Sequence, residues 1–202
     1  FDALAVKLMN KRPKPKPSAN AVVRIALREV GCTESGTNTG TCVRKYQAVT
    51  WLGGTGWPWC AAFCCWVWKQ AYGSIPRATA GAWHFTLNAG VRVSPENIRP
   101  GDCVSYRTGS GHINICVNPH PPGRPGYIET VGGNESNSVR HSYWPRYMIH
   151  SACRHPRSMG AVMESPVIDP NPPSDPNDTA YLPTEYDPQD FDQYVLEADN
   201  GS

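Results

Sequence analysis

The sequence predicts an α+β domain in which helices come first and an antiparallel β-sheet follows. Apolar residues recur with helical spacing in the first half of the chain, whereas from about Asp102 their spacing becomes strand-like. Glycine- and proline-rich turns separate the strand-like segments. The 202 residues are enough for one domain of this kind with an extension at each end.

The helical half contains three core segments. Residues 21–30, A-V-V-R-I-A-L-R-E-V, form a helix pattern that Gly31 ends. A second segment lies at about residues 41–51. The third follows Pro58, which suits the beginning of a helix because the N–H that proline lacks has no helical acceptor there. We therefore expect three helices before the sheet.

The strand half contains four segments. They read D-C-V-S-Y at residues 102–106, H-I-N-I-C-V at 112–117, Y-I-E-T-V at 127–131 and M-I-H-S-A-C-R at 148–154. The turn-forming stretches G-S-G and P-H-P-P-G-R-P-G separate the first three. Strands that follow helices, rather than alternating with them, favour an antiparallel sheet.

The two ends of the chain differ in composition from the core, which we place at residues 21–157. Residues 1–20 join a short amphipathic helix pattern to K-R-P-K-P-K-P-S, whose prolines favour an extended linker or docking arm. Residues 158–202 are rich in proline and acidic residues and hold too few aliphatic residues to fold alone. We expect both ends to contact protein partners.

Charge and hydropathy argue against several function classes. A net charge of +2 is too small for a nucleic-acid-binding surface. No apolar run approaches the length of about 18 residues that a membrane span needs. The first residues also lack the pattern of a signal peptide.

One pair of cysteines brackets a short polar loop. Cys32 and Cys42 flank T-E-S-G-T-N-T-G-T, so they could form a local disulfide in an oxidising setting. A pair of free thiols is an equal alternative.

The segment G-W-P-W-C-A-A-F-C-C-W-V-W contains the candidate nucleophile. Cys60 falls in the first turn of the third helix, where unpaired backbone N–H groups and the positive end of the helix dipole favour a thiolate. Cys64 and Cys65 lie deeper in the helix, where packing explains them better. Position therefore selects Cys60.

A nucleophilic thiol needs a base, and the base needs an orienting partner. Among six histidines, His112 alone begins a predicted strand directly after a glycine turn. Asn134 follows the next strand and is our candidate for the partner, since a neutral asparagine orients the imidazole in papain-like sites. Glu129, inside that strand, is the competing candidate.

Taken in order, these segments resemble the CHAP superfamily, the cysteine, histidine-dependent amidohydrolases/peptidases. The matching motifs are P-W-C-A-A-F, R-P-G-D-C-V, G-H-I-N-I and V-G-G-N-E-S-N-S-V, and the resemblance covers residues 21–155, about two-thirds of the chain. It implies a papain-like α+β fold. It also implies Cys60 as nucleophile, His112 as base and Asn134 as orienting residue.

The resemblance further implies hydrolysis of an amide bond in bacterial peptidoglycan. The enzyme would be an N-acetylmuramoyl-L-alanine amidase or an endopeptidase of the stem peptide or cross-bridge. Two positions depart from the family pattern. Gly132 stands where many relatives have an acidic residue, and Asn114 stands where relatives often have glycine or alanine.

We expect no cofactor and no metal. Some CHAP enzymes bind calcium through an acidic loop before the cysteine, but residues 33–59 hold a single carboxylate, that of Glu34. A structural zinc site is the rival interpretation, although the chain has no C-x-x-C pair. Its ligands would be Cys60, Cys64, Cys65 and His112.

Four aromatic residues near the motifs could wall a groove for a sugar–peptide substrate, although core packing is the commoner role of such side chains. They are Trp57, Trp59, Trp83 and Tyr106.

The resemblance and the two chain ends together suggest a lysin in the tail or tail tip of a phage virion, where it would act on the host cell wall. One alternative is a free endolysin in the host cytoplasm that later reaches the wall. Another is a non-catalytic structural or assembly protein of a virion that keeps the fold.

Overall fold

The computed structural model describes residues 19–159. Nearly all of the predicted N-terminal arm and C-terminal tail therefore lies outside the described residues. Within them, helices pack on one antiparallel sheet, which confirms the predicted α+β class. None of these helices is long and apolar enough to cross a membrane.

Within residues 19–159, four helices precede the central strands. They are α1 (Ala19–Arg28), α2 (Thr41–Gln47), α3 (Cys60–Tyr72) and α4 (Ala82–Asn88). The strands are β1 (Val91–Val93), β2 (Cys103–Tyr106), β3 (His112–Asn118), β4 (Tyr127–Glu135), β5 (Ser138–Pro145) and β6 (Ile149–Arg154). Short 3₁₀ turns occur at Pro95–Asn97, Arg146–Met148 and Pro156–Met159.

The strands form one sheet in the order β1-β6-β2-β3-β4-β5. Every neighbouring pair is antiparallel. The last strand, β6, returns between β1 and β2. As a result β2 and β3 lie in the middle of the sheet, and the hairpin between them is held from both sides.

All four predicted strands and all three predicted helices are present, whereas α4, β1 and β5 were not predicted. β5 reads S-V-R-H-S-Y-W-P, and most of its side chains are partly or fully exposed because it forms an edge of the sheet. Polar residues on both faces of such a strand remove the apolar alternation by which strands are recognised.

Helix α3 is the centre of the core. It is apolar on nearly all sides, as expected of a helix that is covered on all sides. Tyr46 of α2 stacks on Trp59 at 5.5 Å between ring centroids and meets the Phe63 ring edge-on at 5.2 Å. These aromatic contacts fix the beginning of α3.

The sheet also presses against the beginning of α3. A Cβ atom on Gly133 of β4 would lie 2.6 Å from the Cβ of Phe63 and 2.8 Å from the ring of Trp59. Real Cβ atoms do not approach other atoms this closely, so only glycine lets β4 pass at this distance. This close approach holds the first turn of α3 against the end of β4.

A disulfide closes the loop before α2. Cys32 and Cys42 are joined, which answers the question that the sequence left open. The loop lies along the beginning of β5, since the Glu34 N–H donates to the carbonyl of Asn137 at 2.9 Å and Thr33 bridges to Ser138. It therefore supports the turn between β4 and β5.

Candidate active site

The thiol of Cys60 occupies the first position of α3. Trp59 precedes the helix, and its carbonyl accepts the first helical bond from the Phe63 N–H at 2.9 Å. No side chain caps this end of the helix, so the N–H groups of its first turn are left for another acceptor. The Cys60 residue is 6% exposed, whereas the other free cysteines have no exposed surface.

The imidazole of His112 lies within hydrogen-bonding reach of the Cys60 thiol. His112 is the first residue of β3, after Gly111 turns the chain with a φ of 74°. Its ring stacks on Trp144 at 5.3 Å between centroids, and its side chain is 13% exposed. The structure thus brings the predicted nucleophile and the predicted base together, although they are far apart in sequence.

Glu135, at the end of β4, lies on the other side of the imidazole. Its Oε1 is 3.4 Å from His112 Nε2. The same oxygen accepts hydrogen bonds from the amide of Asn114, from Ser142 Oγ at 3.0 Å and from Trp144 Nε1 at 3.1 Å. With this many donors, the carboxylate is fixed in place beside the ring.

The electrostatics of the three groups agree with this geometry. Burial disfavours the charged form of His112, but hydrogen bonds and charge interactions with Cys60 and Glu135 outweigh it and raise the pKa of His112 to about 10. Burial likewise opposes the charge of Glu135, yet its contacts with His112, Ser142 and Trp144 lower the pKa of this carboxyl. The site therefore holds an imidazolium and a carboxylate at neutral pH.

The geometry favours Glu135 over the predicted Asn134 as the residue that orients His112. The Asn134 side chain donates a hydrogen bond to Asn38 Oδ1 at 3.2 Å. The competing candidate Glu129 forms an ion pair with His141 at 2.7 Å instead.

A β-bulge explains why position 135, and not position 134, reaches the base. The register of β4 and β5 shifts between Gly132 and Glu135, and Asn134 adopts a φ of 59°. One extra residue in a strand reverses the alternation of side chains beyond it. Glu135 therefore shares the face of Thr130, and both side chains accept hydrogen bonds from Asn114.

The two departures from the family pattern prove to be complementary. A Cβ atom on Gly132 would lie 1.8 Å from Oδ1 of Asn114. The absence of a side chain at position 132 thus makes room for the amide at position 114. That amide in turn donates hydrogen bonds to Thr130 and Glu135.

This pairing predicts strong coupling between the two positions. We expect Gly132→Ala to lower the free energy of unfolding by about 1–3 kcal/mol, because its methyl group displaces the Asn114 amide. In the double variant with Asn114→Ala the clash is absent. Its loss of unfolding free energy should therefore be about 1–2 kcal/mol smaller than the sum of the losses in the two single variants. Urea unfolding of the two single variants and the double variant measures this.

Gly109→Ala is the matched control, since a Cβ atom there meets nothing within 4 Å. It should leave the unfolding free energy within about 0.5 kcal/mol of the parent value. Strictly additive losses at positions 114 and 132 would contradict the proposed pairing.

The disulfide-closed loop connects two parts of the site. Glu34 Oε2 accepts a hydrogen bond from Trp59 Nε1 at 3.0 Å, next to the nucleophile. Asn38 accepts one from Asn134, next to Glu135, and its carbonyl accepts one from Gln47 Nε2 at 3.0 Å. The loop therefore contacts both the beginning of α3 and the bulge.

The four aromatic residues predicted to wall a groove have different positions. Trp59 and Tyr106 are fully buried, so they offer no surface to a substrate and belong to the packing around the site. Trp57 is 8% exposed, and its Nε1 donates to the carbonyl of Gly53. Trp83 is partly exposed and lies beside Gly111.

The other cysteines of α3 do not join Cys60 in a metal site. Cys65 Sγ donates to the carbonyl of Thr79 at 3.5 Å, and burial raises its pKa to about 12. Cys64 contacts the thiol of Cys103 in the core. Among residues 19–159, no group of three or more histidine, cysteine or acidic side chains is arranged to hold a metal ion.

Comparison with solved structures gives neighbours of low sequence identity. NlpC1 and NlpC2 from Trichomonas vaginalis are each 15% identical with a TM-score of 0.44, and each alignment covers 72% of this chain and 46% and 50% of theirs, respectively. An NlpC/P60 family protein from Bacillus cereus ATCC 10987 is 18% identical with a TM-score of 0.43, over 70% of this chain and 41% of its own. The chain thus spans half or less of each.

Comparison with protein families is more specific. No curated protein matches the chain. Residues 52–134 match the model of the CHAP domain, a segment that holds both Cys60 and His112 and ends one residue before Glu135. The resemblance seen in the sequence motifs is therefore confirmed over residues 52–134, which match the CHAP domain model.

Proposed function

We propose that this protein is a cysteine hydrolase that cleaves an amide bond in bacterial peptidoglycan. The observation that carries the proposal is the convergence of three groups. A thiol at an uncapped helix N-terminus meets an imidazole that is 13% exposed, and a fixed carboxylate lies behind that imidazole. The CHAP domain match supports peptidoglycan as the substrate class.

The arrangement supports acyl transfer through the thiol. The imidazolium of His112 stabilises the thiolate of Cys60, which attacks the scissile carbonyl and forms the C–S bond. Backbone N–H groups in the first turn of α3 can hold the oxyanion. His112 then protonates the leaving amine, and a water molecule, deprotonated by the same ring, hydrolyses the thioester.

Each neighbour of the imidazole has a separate task in this scheme. Glu135, whose Oε1 lies 3.4 Å from Nε2, stabilises the charged ring and orients it. Trp144 stacks on the imidazole of His112, and its Nε1 donates to the carboxylate of Glu135. One side chain therefore positions both the base and its orienting residue. Water access to the pair is limited, which strengthens their interaction.

Two finer assignments are part of the proposal. The scissile bond is either that between muramic acid and L-alanine or one within the stem peptide or cross-bridge. We also propose a place in a phage virion, supported by the compositions of residues 1–20 and 158–202, which suit docking to neighbouring proteins.

Digestion of purified sacculi tests the function. We expect soluble fragments whose masses identify the cleaved bond: free stem peptides indicate an amidase, and shortened or separated stems indicate an endopeptidase. Alkylation with iodoacetamide should stop the reaction and, by peptide mapping, label Cys60 before the five fully buried free thiols. Intact sacculi after long incubation would favour the non-catalytic virion protein.

The proposal also predicts the pH dependence of activity. Because contacts with Cys60 and Glu135 raise the pKa of His112 to about 10, the imidazolium should persist through neutral pH and be lost as the pH rises through about 10. The stability that its interactions provide is fully present below the ordinary pKa near 6.5 and disappears over the same alkaline range.

Glu135→Gln should move the alkaline limb of kcat/KM to lower pH, because the amide no longer stabilises the imidazolium. Profiles of kcat/KM between pH 5 and about 10.5 for the two proteins measure the shift. Glu129→Gln is the control, since that carboxylate contacts His141. An alkaline limb that stays in place in Glu135→Gln would contradict the proposed role of the carboxylate.

A further inference from the structure

An open groove lies between β1 and β6, at the edge of the sheet. Its volume is about 350 Å³. Its lining includes Arg92, Val93, Ser94, His150 and Ser151. Nothing in the proposed mechanism uses this groove.

The groove is positively charged. Burial lowers the pKa of His150, and the positive charges of Arg107 and Arg92 lower it further. Both arginine side chains are exposed. Arg92 lines the groove, and Arg107 acts on His150 in that lining. Within residues 19–159, neither guanidinium pairs with a carboxylate.

Trp83 connects the groove to the active site. One contact of its ring is with His150, on which it stacks at 4.7 Å between centroids and an angle of 15°. Its Nε1 donates to the carbonyl of Tyr106 at 2.9 Å. The ring also lies against Gly111, the residue before His112: a Cβ atom added there would be 3.0 Å from Nε1. A single indole ring therefore separates the groove from the turn that carries the base.

Arg107 belongs to that same turn. It directly follows β2, whose last residue, Tyr106, pairs with His112 across the hairpin. Its Nη1 donates to the carbonyl of Tyr147 at 3.5 Å, which directs the side chain toward the His150 side of the hairpin. Arg107 and His112 thus belong to the same β2–β3 hairpin.

We infer that Arg92 and Arg107 bind a free carboxylate of the peptide part of the substrate, a few residues from the scissile bond. The inference rests on the proposed function and narrows its substrate to peptidoglycan whose stem peptides carry unamidated acidic groups. A guanidinium matches a carboxylate with two parallel hydrogen bonds, which gives orientation as well as affinity.

Binding without turnover tests the inference. The full-length Cys60→Ala variant is titrated with a soluble disaccharide-peptide released from sacculi, and with the same compound after its carboxylates are converted to amides. We expect the acidic form to bind about tenfold more tightly than the amidated form. Arg92→Gln with Arg107→Gln, made in the same background, should remove this difference.

The matched control removes two positive charges elsewhere. Arg124 stacks on Tyr143 at the opposite edge of the sheet, and Lys69 lies in the last turn of α3. The Arg124→Gln, Lys69→Gln variant should keep the preference for the acidic ligand. Equal affinity for the two ligand forms, or the same loss in both double variants, would overturn the inference.

Kinetics of the active protein separate this inference from the proposed function. If the parent digests sacculi and the Arg92→Gln, Arg107→Gln variant has a KM raised about tenfold at unchanged kcat, both stand. If the parent digests sacculi and the KM does not change, the groove assignment fails alone. If sacculi stay intact while the acidic ligand still binds through the arginines, hydrolysis fails and the groove assignment stands.

Discussion

Replacing Cys60 by alanine is expected to abolish the digestion of sacculi, with a loss of activity of about 10³-fold or more. The thiol is the group that forms the acyl intermediate, and no other thiol can replace it. Cys64 and Cys65 have no exposed surface, and their side chains are directed to Cys103 and Thr79. Release of soluble fragments from sacculi at equal protein concentration measures the effect.

Cys64→Ala is the matched control for this experiment. It removes a thiol from the same helix, one turn further along, and should cost stability without removing the nucleophile. Its activity, measured well below its unfolding temperature, should stay within about threefold of the parent value. Activity that survives in Cys60→Ala, or is lost only in Cys64→Ala, would contradict the assignment.

Replacing Glu135 by alanine should also produce a large loss, about 10³- to 10⁴-fold in kcat, because removal of the orienting carboxylate of a catalytic triad costs about 10⁴-fold. The carboxylate stabilises the imidazolium and is held by Asn114, Ser142 and Trp144. Without it, the ring loses both its charge partner and its fixed orientation.

Asn134→Gly provides the comparison, because glycine accepts the φ of 59° at this position while the amide is removed. We expect a kcat within about threefold of the parent, since the asparagine side chain contacts Asn38. Steady-state kinetics on a soluble muropeptide measures both variants. A large loss of kcat in Asn134→Gly together with a small loss in Glu135→Ala would instead support Asn134, the neutral orienting residue that the sequence predicts.

The nucleophile and the base could be predicted from the sequence, whereas the orienting residue at position 134 or 135 could not. The position of Cys60 after W-P-W and that of His112 after a glycine turn are local features, so the pattern alone selects both residues. The orienting residue depends on which face of β4 each side chain takes. A bulge reverses that alternation, and the bulge arises from pairing with β5, a strand that the pattern does not reveal.

The aromatic residues illustrate a second limit. Trp59 and Trp83 have similar sequence contexts, each close to a motif residue, yet one is fully buried and the other partly exposed. Their difference comes from α2, whose Tyr46 covers the first ring, and from β6, whose His150 stacks on the second. Such contacts between distant segments leave no local trace in the sequence.

The disulfide between Cys32 and Cys42 has a consequence for how the chain must mature. Six other thiols remain free, and all of them are buried in the folded domain. If oxidation came before folding, any of these six could capture a partner of the native pair. Folding first leaves surface on only one of these six, Cys60, which is 6% exposed, so the native pair can be joined with little competition. The order of the two events therefore determines whether the correct covalent isomer forms.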